Sequence, residues 1–81
     1  MGVNNKEAAI ISIIADNVRH FRRSAELSQE ELAHEAGLDR TYISQVERRK
    51  RNLTVVALAK IAYALKVSPD RLLLPLGKKR S

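Results

Sequence analysis

The chain has 81 residues, which is one domain's worth and near the lower size limit at which a single core sustains a fold unaided. Hydrophobic residues make up 44% and aromatics only 4%, so the interior should be aliphatic and the fold helical. The absence of cysteine excludes disulfides and thiolate metal sites, and a net charge of +6 favours an anionic partner.

Met1–Asn5 reads as a disordered N-terminus with Asn4 or Asn5 available as a helix cap. The first helix is expected over Lys6–Ser24, where Ile10, Ile14, Val18 and Phe21 form one buried stripe. Ile11 and Ile13 fall off that stripe and either widen the core or lie in a subunit interface. Arg19, Arg22 and Arg23 sit at the end of this helix, where cations complement its dipole. Arg19 reads as solvated charge, and Arg23 as a phosphate contact.

The stretch over which the chain is organised is Ser28–Arg48, SQEELAHEAGLDRTYISQVER. Ser28 followed three residues later by Glu31 has the capping-box spacing. Leu32 and Ala33 give the second helix a short apolar face, and Gly37 suits the left-handed backbone that ends a helix. Asp39 is expected to cap the third helix through its carboxylate. Leu38, Ile43 and Val46 form the inward stripe of that helix. At about 100° per residue, Thr41, Gln45 and Arg48 point away from it, with Arg40 and Ser44 at the flanks. The chain is also electrically polar here: Glu26, Glu30, Glu31 and Glu35 precede the basic run of Arg40, Arg48, Arg49, Lys50 and Arg51.

After a linker over Arg49–Leu53, Thr54 caps a fourth helix whose buried face is Val55, Leu58, Ile61, Ala62 and Leu65. Ser68-Pro69-Asp70 starts a fifth, with a cap, a proline where its missing N–H costs nothing, and an acid in the first turn. Pro75 and Gly77 end it, and residues 77–81, including Lys78, Lys79 and Arg80, read as a basic tail. This last segment is too short to bury Leu72, Leu73, Leu74 and Leu76 together. They either close the bottom of the core or form an interaction surface, and a homodimer interface is the reading adopted, two-fold partners being the commonest oligomers.

The outward side of the third helix has the chemistry of base reading. The guanidinium fork of Arg40 matches the O6 and N7 acceptors of guanine, Thr41 offers a hydroxyl and a methyl for thymine, and Gln45 can pair with adenine. Tyr42 lies beside the inward stripe, where a core or phosphate role stands level with base contact. Ser44 can bind a phosphate or only the preceding turn of its own helix. Phosphate contacts are expected from Arg23, Gln29, Arg48, Arg49, Lys50, Arg51 and Asn52. Gln29 joins them because it opens a helix, whose free N–H groups are an anion site.

Through Gln29, Ala33, Gly37, Ile43 and Glu47-Arg48, this stretch resembles the helix-turn-helix of the phage repressor and Cro family. Leu38–Thr54, LDRTYISQVERRKRNLT, is most similar to the controller proteins of restriction–modification systems. The resemblance covers roughly Asn17 to Leu74. It implies an all-α, compact five-helix bundle over residues 6–76 with the DNA-reading motif at its second and third helices. It further implies a structural ion pair between Arg22 and Glu47, base reading by Arg40, Thr41, Tyr42 and Ser44, backbone contact by Arg51 and Asn52, and a homodimer. Gln45 departs from the family, where glycine is frequent at this place.

The expected function is therefore sequence-specific recognition of double-stranded DNA by a homodimer on a pseudo-palindromic operator, regulating transcription in the manner of a controller protein. The competing reading is an antitoxin-like protein-interaction module, for which only Leu72–Leu76 or Met1–Ile13 offers a partner-binding segment. An enzyme is not expected, since His20 and His34 lack a second ligand at metal spacing and no phosphate loop or nucleophile motif occurs. No metal, cofactor or small-molecule ligand is expected. The longest aliphatic run, Ala8–Ala15, is too short to cross a bilayer, and no signal-peptide pattern precedes it. A cytoplasmic protein without membrane association is the expectation.

Overall fold

The computed structural model of the chain describes residues 5–77. Its elements are α1 (Asn5–Ser24), α2 (Gln29–Ala36), α3 (Arg40–Glu47), α4 (Val55–Ala64) and a short 3-10 segment (Pro69–Leu73). The expected fifth helix is thus a single 3-10 turn. Pro69 sets its first position as foreseen, but Ser68 makes no side-chain cap, and Pro75 halts the chain before an α-helical ladder can propagate. Residues 1–4 and 78–81, which hold most of the anticipated N-terminal and basic tails, lie outside the described residues; Asn5 already belongs to α1.

The caps explain where the helices begin. The Ser28 hydroxyl accepts from the Glu31 N–H at 3.0 Å, while the Glu31 carboxylate accepts from the Ser28 N–H at 2.8 Å. The Ser28 N–H, with a smaller contribution from the Ser28 side chain, holds the Glu31 carboxyl below its ordinary range. Thr54 caps α4 through its hydroxyl at 3.0 Å from the Ala57 N–H. Asp39 occupies the cap position of α3 with extended backbone, yet its side chain makes no capping hydrogen bond, contrary to expectation.

All four α-helices stop in one way. One residue just beyond each helix adopts left-handed backbone: Glu26, Gly37, Arg49 and Lys66. In each case its N–H bonds three residues back and the next N–H bonds five residues back, as in Leu27 to Arg22 and Lys50 to Gln45. This pairing satisfies the orphan carbonyls of the last turn. Only one of the four sites is glycine, and a side chain in this conformation costs about 1–2 kcal/mol.

The core is made of Ile14 and Val18 from α1, Leu32, Ala33 and Ala36 from α2, Ile43 and Val46 from α3, Ile61, Ala62 and Leu65 from α4 and its cap, and Leu72 from the 3-10 turn. Phe21, Leu27, Leu38, Tyr42, Leu53 and Leu58 pack around it half-buried. Three sequence expectations change here. Ile10 is exposed, as are all the described residues before it in α1. Val55 is 82% exposed because the first position of α4 faces outward, and Ala57 takes the buried place. Leu72 is fully buried in its own subunit, so it cannot contribute to a dimer interface; Leu73 and Leu76 remain exposed and Leu74 half-buried.

Asn17 is a buried polar residue on the apolar stripe of α1, three residues after Ile14 and four before Phe21. Its amide nitrogen donates to the carbonyls of Leu72 at 2.9 Å and Leu74 at 2.8 Å, tying the end of the chain to α1. Its Oδ1 has no hydrogen-bond partner.

Candidate nucleic-acid interface

α3 spans only eight residues, from Arg40 to Glu47. A helix this short is not stable alone, so its place in the molecule is set by what grips it. Ile43 and Val46 enter the core and fix its inner side. The far end is held through Glu47, whose carboxylate is buried and surrounded by donors from two helices. Arg22 Nε donates to Glu47 Oε2 at 2.6 Å and Arg22 Nη2 to Oε1 at 3.0 Å, a two-pronged ion pair. Gln29 Nε2 donates to Oε1 at 3.1 Å, and Arg19 Nη2 donates to the Glu47 carbonyl at 3.1 Å. Arg22 also donates to the Leu27 carbonyl at 2.8 Å, locking the turn between α1 and α2.

Burial alone would push the Glu47 carboxyl up. The hydrogen bonds from Arg22 and Gln29, with the charges of Arg22 and Arg19, outweigh it and hold the group below its ordinary range. The Arg22 guanidinium is correspondingly raised, chiefly by its hydrogen bond to Glu47. Two residues therefore sit differently from their sequence reading. Arg19, read as solvated charge, closes over the end of α3. The side-chain amide of Gln29, expected at a phosphate, is engaged by Glu47, which leaves only its backbone N–H at the start of α2.

The outward side of α3 is open. Arg40 and Thr41 are exposed, Ser44 and Gln45 half-buried, and together with the exposed Arg48 they line one shallow depression. A second depression shares Thr41 and Gln45 and continues over Asp39, Tyr42 and Arg51. The expected base-reading residues thus lie on one continuous surface. Tyr42 is packed at the edge of the core, with the Arg51 guanidinium 4.3 Å above the centre of its ring. Such stacking is worth about 0.5–1 kcal/mol at exposed sites and orders Arg51 beside α3.

Of the expected phosphate contacts, Arg23, Arg48, Lys50, Arg51 and Asn52 are exposed. The Arg49 guanidinium turns instead to α1, with Nη2 donating to Asp16 Oδ1 at 2.8 Å and Nε to Ser12 Oγ at 3.1 Å. Among the described residues no group of three or more His, Cys, Asp or Glu side chains could hold a metal ion, and no helix is long and apolar enough to cross a membrane. His20 lies edge-on to Phe21, with ring centres 5.2 Å apart.

Sequence reasoning missed Arg19 and Gln29 as partners of Glu47, Asn17 as a buried tie, and Ser12 with Asp16 as partners of Arg49. A faint signal existed for the last pair: Ser12, Asp16, Arg19 and Arg22 follow four-three-three spacing, a polar stripe along one side of α1.

The helix-turn-helix family model matches residues 18–72. The control protein C.SmaI of Serratia marcescens is 49% identical over 70 residues, covering 86% of this chain and 83% of its own. The crystal structure of a hypothetical transcription factor from Neisseria superposes with a TM-score of 0.82 at 42% identity, covering 94% of this chain and 87% of that one. The restriction–modification controller protein C.Esp1396I, solved as a tetramer in complex with its natural 35 base-pair operator, matches with a TM-score of 0.73 at 38% identity, covering 78% and 83%. The chain belongs to the helix-turn-helix family, and controller proteins of restriction–modification systems stand among its relatives.

Proposed function

We infer that the protein is a sequence-specific double-stranded-DNA-binding transcription regulator that acts as a homodimer on a pseudo-palindromic operator. The observation that carries this reading is the outer side of α3, where Arg40, Thr41, Ser44, Gln45 and Arg48 share one open surface while the inner side is anchored in the core. A helix so mounted enters a major groove with its amino-terminal end foremost. Arg40 then reads guanine, Thr41 a thymine methyl, and Gln45 adenine, with Tyr42 and Ser44 at the margins. Arg23, Arg48, Lys50, Arg51 and Asn52 supply affinity by releasing counterions from the phosphates, together with the backbone N–H of Gln29.

Two recognition helices must sit about 34–36 Å apart to enter successive major grooves. A subunit measuring 34 × 31 × 20 Å is compatible with that spacing when two lie side by side. The pairing surface is drawn from exposed apolar side chains, Leu73 and Leu76 with Val55, Val56 and Tyr63 of α4. A controller-like circuit, in which occupancy of neighbouring sites recruits or occludes RNA polymerase, follows by analogy with the relatives. The same exposed apolar side chains would serve an antitoxin-like protein, and co-purification of a distinct small protein from the native host would favour that reading.

The test is selection of bound sites from a random duplex pool, followed by binding of Arg40→Ala to the selected site and to random DNA. A two-fold symmetric site should emerge. The variant should lose about 1–3 kcal/mol on that site and almost nothing on random duplex. An unenriched pool, or equal losses on both DNAs, would overturn base reading by Arg40.

A further inference from the structure

The end of α3 is held twice from α1, and the second hold has no counterpart in the reading of Arg49 as a phosphate ligand. Arg49 stands at the left-handed position of the helix stop, with φ +62°, where glycine is favoured. Its N–H bonds to the Val46 carbonyl at 3.1 Å and the following Lys50 N–H to the Gln45 carbonyl at 2.8 Å. From this turn the side chain runs back to Ser12 and Asp16, one helical turn apart on α1, and meets both. Those residues continue the stripe that carries Arg19 and Arg22, the two arginines on Glu47.

We propose that Arg49 is a positioning residue, fastened to Ser12 and Asp16 so that the turn delivering Lys50 and Arg51 to DNA is fixed against α1. The proposal rests on the DNA-binding reading above. The pair is about half exposed on both sides, so its contribution to global stability is small. Its effect is local: a two-point anchor on one guanidinium restricts both the direction and the rotation of the chain leaving α3. Lys50 and Arg51 lie immediately beyond that anchor. With its charge facing Asp16, Arg49 releases no counterion from a phosphate, whereas Arg51 does.

Arg49→Gly separates the roles, because glycine keeps the left-handed turn and removes only the side chain. Asp16→Asn removes the anchor from the other end. The first readout is the salt dependence of binding to random duplex DNA, in which each neutralised phosphate contributes a slope of about 0.9. Arg49→Gly should leave this slope as in the unaltered protein, while Arg51→Ala flattens it by about that amount. The second readout needs no DNA. Amide order parameters of Lys50 and Arg51, rigid near about 0.85 when anchored, should fall toward about 0.6 in Arg49→Gly and in Asp16→Asn. Preference for the selected site over random DNA should drop by one common factor in both variants, and no further in the double variant. A slope flattened by Arg49→Gly would make Arg49 a phosphate ligand and overturn the proposal. So would unchanged amide rigidity in both variants. Absence of salt-dependent DNA affinity in the unaltered protein would remove the DNA reading instead, and the relaxation data would still decide the anchor.

Discussion

Glu47 concentrates more of the design in one side chain than any other residue. Its carboxylate is the meeting point of α1, α2 and α3, and removing it leaves Arg22 largely buried beside an apolar core with no counter-charge. Breaking such a pair from one side costs about 3–5 kcal/mol, so Glu47→Ala should lower the unfolding free energy by that much in urea titration. The pH dependence follows from the same contacts. The folded carboxyl titrates below its ordinary range, so it binds fewer protons than the unfolded one in that window. It therefore stabilises the fold above the ordinary glutamate value, and that stabilisation is lost as pH falls through the folded value. Urea unfolding below about pH 4.5 should show a steeper acid loss for the native protein than for Glu47→Gln. The Arg22–Glu47 contact was anticipated only through the family resemblance; composition and periodicity say nothing about a pair 25 residues apart. Asn17 was legible in principle, since it lies on the stripe of Ile14 and Phe21. An isolated asparagine at such a place is ordinarily read as surface, and its partners are carbonyls, which carry no sequence signal.

The elements were legible where a side chain does the work and obscure where the backbone does. Ser28 with Glu31, and Thr54, announce their helices because hydroxyl and carboxylate spacing is written in residue types. The stop at Gly37 was equally plain. The identical stops at Glu26, Arg49 and Lys66 were not, because no glycine marks them. A Cβ on Gly37 would meet nothing within 4 Å, so Gly37→Ala tests backbone strain alone. It should cost about 1 kcal/mol in thermal or urea unfolding. The reverse changes, Glu26→Gly and Lys66→Gly, should be neutral or gain a few tenths of a kcal/mol, since relief of the left-handed strain is offset by the larger entropy of an unfolded glycine. The missing fifth helix belongs to this scale too: capping residues and proline mark a start, but five residues ahead of another proline allow only one tight turn.

At the scale of the whole molecule, the four clustered leucines resolve into different roles. Leu72→Ala should cost about 2–5 kcal/mol, as for a buried leucine, and the loss should not depend on protein concentration. Tyr63→Glu should instead leave the isolated subunit's fold intact, because Tyr63 is 67% exposed on α4, and, if the proposed homodimer pairs through α4, shift sedimentation from dimer to monomer. An unchanged sedimentation coefficient would move the pairing surface elsewhere. Sequence periodicity could not sort these residues, since a 3-10 turn follows neither the helical nor the strand repeat.

The brevity of α3 has a practical corollary. Eight residues excised as a synthetic peptide would be a coil in water, so the specificity of this protein cannot be carried away on a fragment. Yet Arg40 and Thr41 are solvent-facing, and swapping them should leave unfolding within about 0.5 kcal/mol of the parent. On the proposed base-reading assignment, the molecule is in that sense a chassis with an exchangeable key: engineers seeking a new target sequence would retain the whole body and recut only the teeth.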